Sequence, residues 1–333
     1  VHRRAHVTDR TRTTLLRLAA GCLVAFTVCP AFAQPAVPPA AIAQFQKVIG
    51  DRVELVTILG GDYGAAGGIY SFRGGQVADL AITKLGGGGN IAETRPLGDT
   101  GLNWAPMLLG NVGHINAGNT FQSGFLVGNK SEYDVLSVQG GAGARFYFTD
   151  HLSLAPGLSG IYGHTENAFH SQNAVGDLVQ AAARGTYTDW TIDTWSVVPS
   201  VQAQYEWSWG RTELTLGSRY CFFHTESFQS SSPVVSVYGD SQLWENRFDA
   251  DIPLGLRVFN HELHTGGFFS RTELYGHAAT GVDADHFYTL NGRLVFDFLG
   301  DIWKLQWIGL GASYFFADHF SGWSAGIDMH FKF

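Results

Sequence analysis

Apolar and polar residues alternate one for one through most of the second half of the chain. Trp195, Val197, Pro199, Val201, Ala203, Tyr205 and Trp207 fall on one side of the alternation. Ser196, Val198, Ser200, Gln202, Gln204 and Glu206 fall on the other. A period of two marks a β-strand with two chemically different faces. The pattern returns at Leu214–Phe222, at Trp244–Val258 and most clearly at Trp323–Phe333. There Trp323, Ala325, Ile327, Met329, Phe331 and Phe333 alternate with Ser324, Gly326, Asp328, His330 and Lys332. At about 3.3 Å per residue and a tilt near 45°, that last stretch rises roughly 24 Å, the height of the apolar band of an outer membrane. Phe331 and the final Phe333 suit the assembly signal that closes an outer-membrane barrel. The competing expectation is an amphipathic strand of a soluble sandwich.

The rest of the chain extends the series. Strands are expected at 52–61, 67–85, 105–118, 133–148, 152–165, 195–207, 211–222, 244–258, 264–275, 286–298, 305–316 and 323–333. Connections alternate between tight turns near 150, 210, 260 and 301 and longer loops at 62–66, 119–131, 166–189, 226–243 and 277–285. Gly86–Gly89 are expected to open a further loop towards Asn103. Short turns at one end and long loops at the other describe a membrane barrel with periplasmic turns and extracellular loops. The expected fold is all-β: a transmembrane antiparallel up-and-down β-barrel of twelve strands with a short N-terminal helix. Tyr205, Trp207, Phe331 and Phe333 fall near the expected periplasmic rim, and Tyr220, Phe222 and Trp244 near the outer rim. Two aromatic girdles are what membrane interfaces select.

The N-terminal residues follow other rules. Arg3, Arg4, Arg10, Arg12 and Arg17 precede an apolar run at Leu18–Val28, and Ala31-Phe32-Ala33 forms a cleavage site. Residues 1–33 therefore read as a secretion signal; the apolar run is too short to span a membrane as a helix. Residues 34–51 hold three prolines and then helical spacing over 41–50 (Ile42, Phe45, Val48), which makes a linker and a short helix suited to plugging a barrel mouth. Residues 52–333 are the expected barrel.

Composition agrees. Charged residues make up only 15%, aromatics 14%, and Gly supplies 42 of 333 positions, which suits a membrane barrel better than a soluble enzyme. Mean hydropathy is +0.01 because alternation disperses the apolar residues. Loss of 1–33 would remove five Arg and one Asp and move the net charge from −8 to −12, which argues against nucleic acid as a partner. It would also remove Cys22 and Cys29, leaving Cys221 and no intrachain disulfide. The expected partners are outer-membrane lipid and the barrel-assembly machinery, in the bacterial outer membrane, with oligomeric state open.

Charge decides which face is which. Glu245, Arg247, Asp249, Asp251 and Arg257 share one side of their strand, and Arg211, Glu213 and Arg219 one side of the strand before it. An Arg facing lipid at mid-depth costs roughly 2–4 kcal/mol, so these eight residues are expected to line the lumen. Two roles compete: a salt-bridge network that fills the interior, or a lining that sorts ions.

Catalytic chemistry has little support. His170-Ser171-Gln172-Asn173 faintly resembles the His/Ser/Asn site of outer-membrane phospholipases, with different spacing. Asp150-His151, Asp285-His286 and Asp318-His319 are Asp–His neighbours, but adjacent strand residues point to opposite faces. The His residues lack metal-ligand spacing, and Gly86–Gly89 lack the Lys-Ser/Thr of a phosphate loop. No enzyme, cofactor or metal is expected.

The stretch from Ile49 to Phe72, Ile-Gly-Asp-Arg-Val-Glu-Leu-Val-Thr-Ile-Leu-Gly-Gly-Asp-Tyr-Gly-Ala-Ala-Gly-Gly-Ile-Tyr-Ser-Phe, resembles the opening of the solitary outer-membrane autotransporter β-barrels. The resemblance implies a translocator barrel without an attached passenger, and no catalytic residues carry over from it. A pore or channel is the first functional expectation. A closed barrel acting through its loops, an outer-membrane lipase or protease, and a soluble exported β protein are the others.

Overall fold

In the computed structural model, residues 65–331 are described, apart from 75–78, 121–126, 233, 259–260, 283 and 303–304. The expected signal with Ala31 and Ala33, the helix at 41–50, the strand at 52–61 and Phe333 lie outside these residues. The alternation written in the sequence is built as strands. Along β6 (Leu152–His170), Ser153, Ala155, Ser159, Ile161, Gly163, Thr165 and Asn167 are buried, while Leu158 and Tyr162 between them are exposed.

The strands are β1 (Ala65–Gly74), β2 (Asp79–Asn90), the two-residue β3 (Arg95–Pro96), β4 (Asn103–Thr120), β5 (Lys130–Tyr147), β6, β7 (Thr191–Trp209), β8 (Thr212–Ser230), β9 (Tyr238–Val258), β10 (His261–Gly276), β11 (His286–Ile302), β12 (Leu305–Phe316) and β13 (Phe320–Phe331). Helix α1 (Ala174–Ala183) joins β6 to β7, and α2 (His277–Val282) joins β10 to β11. Every long strand pairs antiparallel with its neighbour in sequence, β2 with β4 across the β3 connection, and β13 closes the ring on β1. Twelve long strands therefore form one barrel.

The register gives the barrel its dimensions. A ladder of paired residues that starts at Asn103 passes through Tyr147, Ser153, Gln204, Gly217, Arg247, Ser270, Thr289, Phe315, Gly322, Phe72 and Leu80. It returns to β4 at Ala117, fourteen residues beyond Asn103. Twelve strands with a shear of fourteen tilt by about 40° and enclose a backbone radius of about 12 Å.

The ladder also sorts the faces. Large apolar side chains stand exposed on the outside: Ile69, Leu85, Leu158, Leu290 and Leu310 are each more than half exposed, which a soluble sheet would hide. The inner face mixes Ser, Gly, Asn and charge with buried apolar residues such as Ile82, Met107, Ile115 and Val135. Glycine is required where strands crowd inward; a Cβ at Gly143 would stand 2.6 Å from the Pro156 carbonyl oxygen.

Among the described residues the count of twelve holds, but through a different division of the chain. The stretch 67–85, expected as one strand, is divided between the paired strands β1 and β2, and Ala65 and Ala66 of the connection expected at 62–66 belong to β1. Gly86–Gly89 belong to β2, paired with β4 from Asn111 to Leu108. The outer loops are shorter than expected because the strands run on: β6 reaches His170, β8 reaches Ser230 and β9 begins at Tyr238. Hydrophobic alternation fades where a strand leaves lipid, whereas its backbone ladder needs no apolar face. At the tilt above, a 19-residue strand such as β6 rises about 48 Å, roughly twice the apolar band.

Candidate functional site

The inner wall has two unlike halves. From β12 through β13, β1 and β2 to β6 it carries many small residues in cross-strand register, Gly309, Gly311, Ser324, Gly326, Gly68, Gly86, Gly88, Gly141, Gly143, Gly157 and Ser159, with the larger Ile82, Met107, Leu109, Ile115 and Val135 among them on β2, β4 and β5. Lys84, Arg145 and Asp328 interrupt it.

From β8 to β11 the wall is ionic. Arg219 and Glu245 face each other across the β8–β9 pair, Nη2 to Oε2 at 3.1 Å. Arg247 donates to Asp249 at 2.5 Å along β9. Arg293 on β11 donates to both Asp249 oxygens, at 2.8 and 3.2 Å. It reaches over β10 at Gly266, where a Cβ would stand only 3.1 Å from Arg293 Nε. Glycine there leaves the guanidinium its path. Asp251 lies 2.6 Å from His264 Nδ1, and Arg211 donates to Glu262 at 2.8 Å. Two rings support the cations, with Arg247 stacked 3.6 Å over Phe268 and Arg293 5.7 Å over Trp307.

Of the eight residues singled out from sequence, Glu213, Arg219, Glu245, Arg247, Asp249 and Asp251 fall in one register across β8 and β9, whereas Arg211 stands in the turn before β8 and Arg257 lies beyond a register shift in β9. Arg219, Glu245, Arg247, Asp249, Asp251 and Arg211 are in ion pairs. Glu213 lies opposite Asp251 and Arg257 opposite Glu262, both exposed. Arg293, His264 and Glu262 complete the network. Their phase along the strand marks their face, but only the order of strands shows that Arg293 reaches β9. Phe331 ends β13, and its side chain and Phe333 are outside the described residues.

At the long-loop end, two apolar clusters sit inside the mouth. One joins Ile161, Val198, Cys221, Phe223, Leu243, Leu274 and Phe287 with Ala278 of α2. The other joins Trp190 and Ile192 with Val235 and Val237, and Trp190 lies against Tyr133 with ring centroids 6.0 Å apart. Neither the inward fold of α2 nor the burial of Trp190 was legible in the sequence.

The catalytic candidates have structural partners. His170 Nε2 meets Glu132 at 2.9 Å, the Ser171 hydroxyl donates to the Asn173 carbonyl, and Asn173 caps α1 by accepting from Gly176 N at 2.8 Å. His151 Nδ1 meets the Glu206 carbonyl at 2.7 Å. One expectation is corrected. Asp285 does orient His286, with Oδ1 2.6 Å from Nδ1, because Asp285 precedes β11 and escapes its alternation. That hydrogen bond holds the Asp285 carboxyl below its usual range. Among the described residues, no group of three or more His, Cys, Asp or Glu is placed to hold a metal ion.

Residues 94–327 match the family model of the solitary outer membrane autotransporter β-barrel domain. No curated protein matches the chain. Among solved structures it resembles the β-domain of the Bordetella autotransporter BrkA, at 14% identity and TM-score 0.51 over 80% of this chain and 99% of that one. It also resembles the transport unit of the autotransporter AIDA-I from Escherichia coli, at 8% identity and TM-score 0.51 over 86% and 99%. The translocator domain of the autotransporter NalP from Neisseria meningitidis aligns at 13% identity and TM-score 0.50 over 88% and 96%. At these identities the likeness concerns the fold.

Proposed function

The chain belongs to the family of solitary outer membrane autotransporter β-barrel domains, and from that premise we propose that it forms an aqueous passage through a bacterial outer membrane, with its apolar outer face against lipid. The two-sided inner wall carries this reading. A barrel sealed by its own side chains needs bulk from all sides, yet β12, β13, β1, β5 and β6 contribute Gly311, Ser324, Gly326, Gly68, Gly141, Gly143, Gly157 and Ser159, and larger side chains stand between them on β2 and β4. The charges on β8–β11 are paired along the wall itself. Paired charges of both signs suit weak ion selectivity. The proposal includes no chemical step.

The test is single-channel conductance of the refolded barrel, with and without residues 34–51. Steady conductance is the expected result, and a rise on deletion would mean that this segment lies in the pathway. Silence in both forms would overturn the passage. A second reading, a closed barrel acting through its loops, draws on the packed mouth, where Trp190 is 1% and Val235 0% exposed. Silence would favour it.

A further inference from the structure

The β10–β11 connection folds inward across the barrel rim. β10 ends at Gly276, whose φ is +74°. A Cβ there would stand 2.2 Å from the Asp240 carbonyl oxygen, so glycine alone brings the chain back this close to β9. α2 follows at once. Ala278 is wholly buried, and its amide donates to Ser241 Oγ at 3.1 Å.

What α2 covers contrasts with the ionic wall lower on the same strands. Cys221, Phe223, Leu243, Leu274 and Phe287 occupy inner-face positions, yet all are buried apolar side chains clustered with Ala278. Lower on the same strands those positions carry Arg219, Glu245 and Arg247. Apolar side chains facing an aqueous lumen gain nothing unless something keeps them dry.

The cover is small. α2 has six residues, too few for a helix stable by itself. Among the described residues, Ala278 and Ala279 touch the shelf, and the Ala278 amide donates to Ser241 Oγ. We propose that α2 is a lid: it seats on the apolar shelf inside the outer mouth and swings out about Gly276 to widen the lumen. The lid rests on the passage reading for its purpose, but its movement can be tested separately.

Cys221 lies in the shelf at 8% exposure and reports on the lid. A small cationic methanethiosulfonate is added to the full barrel, and modification is followed by the mass of the Cys221 peptide while conductance is recorded in parallel bilayers. Ala278→Glu places a charge in the dry contact and should speed labelling at least tenfold. Ser241→Ala removes the hydrogen bond to the lid and should speed it about threefold, supplying a result should the first variant fail to give a heat-modifiable barrel. Faster labelling with larger or longer openings supports lid and passage together. Faster labelling in silent bilayers keeps the lid and overturns the passage. Labelling at the wild-type rate in folded variants overturns the lid, whatever the conductance.

Discussion

Asp249 concentrates the chemistry of the inner wall in one residue, because it neutralises Arg247 on its own strand and Arg293 from β11. Removing it leaves two guanidinium groups facing each other. Losing one partner of a well-buried pair costs about 3–5 kcal/mol, but Arg247 keeps 35% of its side chain exposed and its charge is partly screened. Asp249→Ala should therefore destabilise the barrel by about 2 kcal/mol in urea unfolding. In a conducting barrel, the same variant should shift the reversal potential under a salt gradient towards anions. An unchanged reversal potential would mean that ions do not pass this wall. Alternation along β9 puts Arg247 and Asp249 on one face in the sequence itself. Arg293 reveals its partner only when β10 stands between them, with glycine at 266 to let it across.

At the level of elements, the outer ends of the strands carry a repeated device. His164-Thr165-Glu166 on β6 faces Asp193 on β7, and His224-Thr225-Glu226 on β8 faces Asp240 on β9. In both, His Nδ1 lies 2.7 Å from the Asp and Nε2 3.2 Å from the Glu. Each His stands two residues beyond an aromatic, Tyr162 or Phe222, on the part of the strand that projects past the apolar band. The hydrogen bond to Asp193, against some desolvation and aided by Glu166, holds His164 above its ordinary value. Asp240 and Glu226 do the same for His224. A raised folded value means that the stabilisation is complete below the unfolded value, near about pH 6.5, and fades as pH climbs through the folded one. The double variant His164→Gln, His224→Gln should lower the heat-modification midpoint at pH 6 and change it less at pH 8.5. An equal drop at both would rule out a charged pair.

For the molecule as a whole, closure is the decisive event. β13 pairs with β1, Gly68 opposite Gly326 and Ala65 opposite Met329. Opposed residues in such a ladder lie about 4.5–5.5 Å apart at Cα, within disulfide reach. Gly68→Cys with Gly326→Cys should therefore crosslink under mild oxidation and raise the temperature at which the folded band disappears. If residues 52–61 closed the barrel against β13 instead, no crosslink would form. The same ladder sets the shear of fourteen, and with it the tilt and radius on which the passage reading depends.

Period two, an even series of strands, and tight turns alternating with longer connections were all local properties, so the sequence alone determined an antiparallel barrel and put Arg219 and Asp249 each on the charged side of its own strand's alternation. Local signals could not divide 67–85 into β1 and β2, since both arms are apolar and glycine-rich and only their partners, β13 and β4, tell them apart. Nor could they foresee the mouth. Whether Ala278 and Trp190 are buried depends on what a loop meets when it turns inward, and that is decided by strands distant in sequence. Alternation is enforced residue by residue at the lipid boundary, whereas register, reach and loop packing exist only once the ring has closed.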